Sequence, residues 1–140
     1  MEPLTVPGKL DSLSPIAKYV MHAAGEAGLD KKAAYRLRLA VDEIVTNIIL
    51  HGYEEAGLEG DVHIKADLDA ATLTICVEDT GEKFDPASKE DPGDLSQPLE
   101  NRSIGGLGVY LAFQGVDKFQ YERTGKVNCN TFVMNRPQAE

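Results

Sequence analysis

Glu43 and Asn47 stand four residues apart in the stretch Leu39-Ala-Val-Asp-Glu-Ile-Val-Thr-Asn-Ile-Ile-Leu-His-Gly-Tyr53. The apolar spacing of that stretch reads as a helix, and residues at i and i+4 project side by side from one helical face. A carboxylate among Leu39, Ala40, Ile44, Ile48 and Leu50 is costly unless something satisfies it. The pair has the chemistry of a metal–phosphate site. An amide oxygen can ligate Mg²⁺, and a carboxylate can orient or deprotonate a nucleophile. Taken alone, the two residues read more simply as a solvated Glu and a helix-interior Asn on an exposed strip.

Two further segments bear on that choice. Asp79 follows Leu73, Ile75 and Val77 at strand parity, so it shares their core-facing side. A carboxylate aimed into a helix-covered interior must find donors. The exocyclic amino group of a purine would serve, as would a buried water or a backbone amide. Gly81 then permits a close backbone approach, although Asp79-Thr-Gly81 is by itself a common strand-end turn. Gly105-Gly106-Leu107-Gly108 opens a short helix. Free amides at a helix N-terminus form an anion site suited to phosphate, while a hinge is the plainer alternative. The segment lacks the trailing Gly-Lys-Ser/Thr of a P-loop.

The elements that must position these residues follow from periodicity. Residues Pro3 to Val6 form a short first strand. A first helix is predicted over about Ser14 to Ala27, started by Asp11 or Ser12 and stopped by Gly28. Asp30 is the expected N-cap of a second helix ending near His51-Gly52, with Leu37, Val41, Ile44, Val45 and Ile48 as its core stripe. Period-two alternation follows. Val62, Ile64, Ala66 and Leu68 mark one strand; Leu73, Ile75 and Val77 mark the next, joined by a hairpin at Asp69-Ala-Ala71. Residues 85–104 carry Pro86, Pro92, Gly93 and Pro98 without periodicity, as a lid or binding loop does. A short helix over about Leu107 to Gln114 is expected next. Strands over Val116 to Arg123 and Asn128 to Asn135, joined at Gly125-Lys126, complete the chain. Tight turns between neighbouring strands imply a mainly antiparallel sheet, covered on one face by about three helices. That is an α+β two-layer sandwich, expected as one domain over residues 1–140.

Composition narrows the functions. The chain has 140 residues, 23 acidic and 14 basic, a formal net charge of −9, and a hydrophobic fraction of 42%. No Lys/Arg cluster tracks a phosphate backbone, so direct nucleic-acid binding is not expected. No apolar run approaches the ~20 residues needed to span a bilayer. The N-terminal residues lack the pattern of a secretory leader, so a cytoplasmic setting is expected. Cys76 and Cys129 fit no metal spacing and are read as buried free thiols needing no disulfide. His22 and His63 are expected at the surface, and His51 as a cap at the end of the second helix. Tyr53, Phe84, Phe113 and Phe119 read as packing residues.

Together these segments resemble the GHKL superfamily of ATP-binding domains, the Bergerat fold. Glu43-x-x-x-Asn47, Asp79-x-Gly81, Gly105-Gly-Leu-Gly108 and Asn130-Thr131 are similar to its motifs in order and spacing, over nearly the whole chain. Within the superfamily the chain most resembles the anti-sigma factor serine/threonine kinases. Thr46-Asn47-Ile-Ile-Leu-His51-Gly-Tyr53, Asp79-Thr-Gly81-Glu-Lys-Phe84-Asp85-Pro86 and Gln120-Tyr-Glu-Arg123-Thr-Gly carry that likeness. Lys83 stands where the wider superfamily usually has a second glycine, a departure shared with the anti-sigma branch. Gly105 and Gly106 stand where relatives can carry a basic residue; Arg102 lies close by.

The resemblance implies a bacterial, cytoplasmic kinase of ATP and Mg²⁺. Glu43 would be the catalytic base, Asn47 the Mg²⁺ ligand, and Asp79 the acceptor for the adenine amino group with Gly81 beside it. Thr131 would assist at the adenine, and Gly105, Gly106, Leu107 and Gly108 would hold the phosphates. It implies a small anti-anti-sigma protein of the STAS type as substrate, a sigma factor as a further partner, and a homodimer with which exposed Phe132 and Met134 would be compatible. The alternatives are an ATP-gated protein-binding module without phosphotransfer, and a detached histidine-kinase-type ATPase domain.

Overall fold

The computed structural model describes residues 2–82 and 114–137. The expected lid over residues 85–104, the glycine segment Gly105 to Gly108, the third helix as far as Phe113, and Phe84 lie outside the described residues; Gln114, the expected last residue of that helix, is helical.

The chain begins with β1 (Leu4–Pro7) and a 3₁₀ turn at Leu10–Ser12, then enters α1 (Leu13–Glu26). Ser12 does not cap this helix. Its hydroxyl donates instead to the Pro7 carbonyl at 2.7 Å, tying the turn back to β1. Ile16, Val20, Ala23 and Ala24 form the buried stripe of α1. At its end Gly28 takes φ +76°, and the Leu29 amide closes back on the Ala24 carbonyl at 3.0 Å. That wrap of the last turn favours glycine at the left-handed position.

Asp30 starts α2 (Lys31–Asn47) as expected, its Oδ1 accepting from the Ala33 amide at 2.8 Å. Replacing Asp30 by Ala should destabilise the protein by about 1 kcal/mol, seen as a lower urea midpoint with unchanged slope. Leu37, Val41, Ile44 and Val45 are buried along the predicted stripe.

The second helix does not continue as α-helix to His51-Gly52. After Asn47 the backbone widens into a π-helical segment, Ile48–Glu54. The Glu55 amide reaches the Leu50 carbonyl at 2.9 Å, five residues back. Such wide turns are uncommon and concentrate at functional positions. His51 lies inside this segment and pairs through Nδ1 with Glu55 Oε2 at 2.6 Å.

The sheet follows: β2 (Asp61–Leu68), β3 (Thr72–Asp79), β4 (Lys118–Thr124) and β5 (Val127–Asn135). All pairings are antiparallel, and the spatial order is β1-β2-β3-β5-β4. At the β2–β3 hairpin, Asp69 Oδ1 accepts from the amides of Ala71 and Thr72 at 2.7 Å each. Those bonds hold its carboxyl below the usual carboxylate range. The hairpin end leaves Leu68 exposed, although it continues the inward parity of Val62, Ile64 and Ala66.

Both helices cover one face of this sheet, α1 over β2 and β3 and α2 reaching β5. The core between the layers joins Ile16, Val20, Leu37 and Ile44 to Ile64, Ile75 and Val77. Phe132 and Met134 belong to this core, at 1% and 5% exposure, and are not the exposed sheet residues expected from sequence. Their parity on β5 turns them under the helices, so they offer no dimer surface.

Candidate functional site

The helical pair lies as predicted. Glu43 and Asn47 fall one turn apart on α2, with Glu43 half-buried and Asn47 at 3% exposure. Burial pushes the Glu43 carboxyl above its ordinary value. Asp42 beside it is occupied differently. It pairs with Arg38 at 3.5 Å and lines a cavity between α1 and α2. Of the two adjacent acids, Glu43 is the one on the Asn47 face.

The π-helical segment joins this helix to the end of β3. The Glu82 amide donates to the Gly52 carbonyl at 2.9 Å. A Cβ on Gly81 would fall 2.8 Å from that carbonyl oxygen and 3.1 Å from Asp79 Oδ1. Only glycine allows the two backbones to approach this closely. Tyr53 fastens the same junction. Its ring is buried, as its packing role required, and its hydroxyl donates to the Asp61 carbonyl at 2.7 Å and accepts from the Thr80 amide at 2.9 Å. Tyr53→Phe leaves both backbone groups without that partner. The expected cost is about 1–3 kcal/mol of stability, measured by urea unfolding, with weaker nucleotide binding as the Thr80 turn loosens.

Asp79 is buried at 2% exposure, on the core-facing side predicted by parity. Its Oδ1 accepts from the Gly81 amide at 2.9 Å and from Asn128 Nδ2 at 3.0 Å. Asn128 is held in turn by Tyr121 Oη at 2.6 Å and Arg123 Nη1 at 2.9 Å, both donating to its Oδ1. Burial pushes the Asp79 carboxyl up. The bonds from Asn128 and the Gly81 amide, and the charge of Arg123, act in the opposite direction. One oxygen of Asp79 is thus fixed by the protein, and the other, Oδ2, has no partner among the described residues.

Thr131 is not brought to Asp79. Strand alternation on β5 puts Asn128, Asn130, Phe132 and Met134 on the core face and Cys129, Thr131 and Val133 on the other. Thr131 pairs in register with Cys76, whereas Asn130 pairs with Val77 and Asn128 with Asp79. The polar residues of β5 that share the Asp79 face are therefore Asn128 and Asn130. Both are asparagines on a strand face that is otherwise apolar, a break in pattern that the sequence displays.

Asn47 Nδ2, Asp79 Oδ2 and Asn130 Oδ1 are all buried without hydrogen-bond partners among the described residues. Buried polar atoms in this condition are uncommon and costly. One is a donor and two are acceptors, the complement of a ligand with phosphate oxygens and an exocyclic amino group. The carboxamide oxygen of Asn47 is also a suitable hard ligand for Mg²⁺. Among the described residues no three His, Cys, Asp or Glu side chains converge. A cation here would draw most of its ligands from phosphates and water, which is how Mg²⁺ is usually held. Among the described residues, open cavities of about 630 and 620 Å³ lie elsewhere, one beside Tyr53 and Leu58 and one between α1 and α2.

Residues 6–134 match the family model for the histidine kinase-like ATPase domain. The chain belongs to this family. Its curated relatives include the serine-protein kinase RsbW of Halalkalibacterium halodurans, 30% identical over 142 residues, covering 98% of this chain and 85% of the relative. RsbW of Bacillus cereus is 31% identical over 120 residues, covering 84% of this chain and 74% of that protein. Within the histidine kinase-like ATPases the chain thus groups with the RsbW serine-protein kinases. In fold it resembles the RsbU and RsbW domains of Rv1364c from Mycobacterium tuberculosis, with a TM-score of 0.65 at 17% identity. That match covers 99% of this chain but only 34% of the larger one. The histidine kinase domain of the Erythrobacter litoralis EL346 blue-light activated histidine kinase is also similar, with a TM-score of 0.57 at 19% identity over 92% of this chain and 61% of that one. These two likenesses concern the fold alone.

Proposed function

We propose that this chain is an ATP-dependent protein serine/threonine kinase of a partner-switching circuit, phosphorylating a small anti-anti-sigma protein of the STAS type. The observation that carries the reading is Asp79, with one oxygen immobilised by Asn128 and the Gly81 amide and the other left open on the face covered by α2. That open acceptor suits the adenine amino group, and Asn130 Oδ1 offers a second acceptor on the same side of the sheet. Asn47 holds the phosphate end, its carboxamide able both to donate to a phosphate oxygen and to ligate Mg²⁺. When bound at Asn47, the cation would supply neutralisation of the negative charge on the phosphates.

Glu43 performs the proton chemistry. It accepts the proton of the incoming serine or threonine hydroxyl. The new bond joins that oxygen to the γ-phosphorus, while the bond from phosphorus to the β-bridging oxygen breaks and ADP leaves. Its raised pKa makes it a better base than a fully solvated glutamate would be. A sigma factor as second partner, a homodimer and a cytoplasmic setting belong to the same reading.

Incubation with γ-labelled ATP, Mg²⁺ and candidate STAS-type proteins tests the proposal. Acid-stable label on a partner serine or threonine supports it. Nucleotide binding without transfer would instead make the chain an ATP-gated binding module. Acid-labile label on a partner histidine would make it a detached histidine-kinase ATPase domain.

A further inference from the structure

The side of the sheet away from the helices carries a feature the nucleotide site does not use. On β3, Thr72, Thr74 and Cys76 point to this side and are half-buried. On β5, Val127, Cys129, Thr131 and Val133 do the same. Cys76 lies opposite Thr131 and Cys129 opposite Glu78, which makes the cysteines diagonal neighbours on adjacent strands. Their Sγ atoms are 2.7 Å apart, and the Thr131 hydroxyl lies 3.6 Å from Cys129 Sγ. Both are free thiols, and both are half-buried. They are not the fully buried thiols expected from sequence. The sheet instead brings together two thiols separated by 53 positions in the chain.

We propose that Cys76 and Cys129 form a peroxide-sensitive dithiol, oxidised reversibly to a disulfide that staples β3 to β5. The oxidant is hydrogen peroxide or an organic hydroperoxide. Cys129 reacts first. Its thiolate sulfur attacks a peroxide oxygen, the S–O bond forms as the O–O bond breaks, and protonation of the leaving oxygen gives water or an alcohol. Cys76 then attacks the sulfur of the Cys129 sulfenic acid. The S–S bond forms, the S–O bond breaks and a second water leaves. With hydrogen peroxide, two thiols and one peroxide thus become one disulfide and two waters.

The order follows from the surroundings of Cys76. Its thiol is pushed up to about 12 by burial, by the hydrogen bond with Cys129, by the Cys129 charge and by Glu78, with the Thr131 hydroxyl opposing them. A thiol held protonated is a poor first nucleophile. The charge of Cys129 is gone once it is a neutral sulfenic acid, and Cys76, with its sulfur already 2.7 Å from that of Cys129, is placed to act as the resolving thiol. The site lies close to the nucleotide face without sharing it. Cys129 adjoins Asn128, and Cys76 is three residues before Asp79, the two residues joined by the 3.0 Å bond across the same strands. Disulfides in reducing compartments are chiefly transient and redox-sensing, which fits a pair that both peroxide and reductant can reach.

The chain holds only two cysteines, so thiol counting is unambiguous. The purified, reduced full chain is exposed to a modest excess of hydrogen peroxide and then alkylated under denaturing conditions. The expected result is loss of both alkylatable thiols and an intact mass lower by two hydrogens. Peptide mapping should join the Cys76 and Cys129 peptides, the thermal midpoint should rise by several degrees, and dithiothreitol should restore both thiols. Cys76→Ser should accumulate a dimedone-reactive sulfenic acid at Cys129, while Cys129→Ser should give none at Cys76 under the same exposure. Circular dichroism of each variant checks that it is folded. Persistence of both thiols, disulfides only between separate chains, or direct passage to sulfinic acid without a cross-link would each overturn the proposal. Because no nucleotide or partner enters the assay, its outcome is independent of the kinase reading.

Discussion

Glu43→Gln should lower phosphotransfer by about 10²- to 10⁴-fold, the usual contribution of a positioned general base, while the affinity for ATP changes little. The two shapes are nearly the same, so the carboxamide keeps the helix surface and the neighbouring Asn47 in place. On the proposed mechanism, what it loses is the capacity to take the proton of the incoming hydroxyl. The pH profile separates this role from a structural one. Burial raises the Glu43 pKa above its ordinary 4.5. The wild-type turnover should therefore fall on the acid side as pH drops through that raised value, and the variant's residual rate should lack that limb. Stability has the opposite sign. A carboxyl whose folded pKa exceeds its unfolded one is least unfavourable to the fold below the unfolded pKa. Its cost sets in as pH rises through the folded one. Glu43→Gln should consequently be as stable as wild type or slightly more so at neutral pH, measured by thermal unfolding. Equal losses in turnover and ATP binding would show that Glu43 holds the nucleotide instead of moving a proton.

Parity explains which parts of the site could be read in advance. Asp79 was legible because Leu73, Ile75 and Val77 fix which side of β3 is buried, and a strand cannot turn one residue over without turning the rest. Applied to β5, the same rule from Phe132 and Met134 inward puts Asn130 and Asn128 beside Asp79 and leaves Thr131 outside. Motif likeness pointed at the threonine, whereas the register puts its neighbour Asn130 on the Asp79 side. The helix pair Glu43 and Asn47 was legible for a similar reason, since the buried stripe of α2 sets the orientation of every other residue on it. The π-helical segment after Asn47 was not. Its wide turns are stabilised from outside, through Tyr53 to Asp61 and Thr80 and through Gly52 to Glu82. No local pattern in Ile48–Glu54 announces bonds to strands that follow later in the chain. The Cys76–Cys129 contact was hidden likewise, because it depends on β3 and β5 being neighbours in the sheet, an order that β4 interrupts in sequence.

Asp79→Asn separates recognition of the base from stability more sharply than any other substitution in the site. The variant keeps an acceptor where Oδ1 takes bonds from the Gly81 amide and Asn128. At the open position it replaces an acceptor by an amide donor. An adenine amino group then meets a donor, and ATP affinity should fall roughly 10- to 100-fold, the cost of about 1–3 kcal/mol for mismatching a buried polar group. Guanine presents a carbonyl at the corresponding edge, so the same change should narrow or reverse the preference for ATP over GTP. Protonating wild-type Asp79 produces a similar effect without mutation. Its pKa is raised by burial, so ATP binding should weaken as pH falls through a value above the ordinary 3.8. The Asp79→Asn variant, having no such proton to gain, should lack that dependence. The unfolding midpoint at neutral pH should be retained or improved, because the variant removes a buried carboxylate whose ionised form the fold disfavours. Titration calorimetry with ATP and GTP over a pH series measures all of these. Unchanged ATP affinity and base preference in the variant would place the adenine somewhere other than against Asp79.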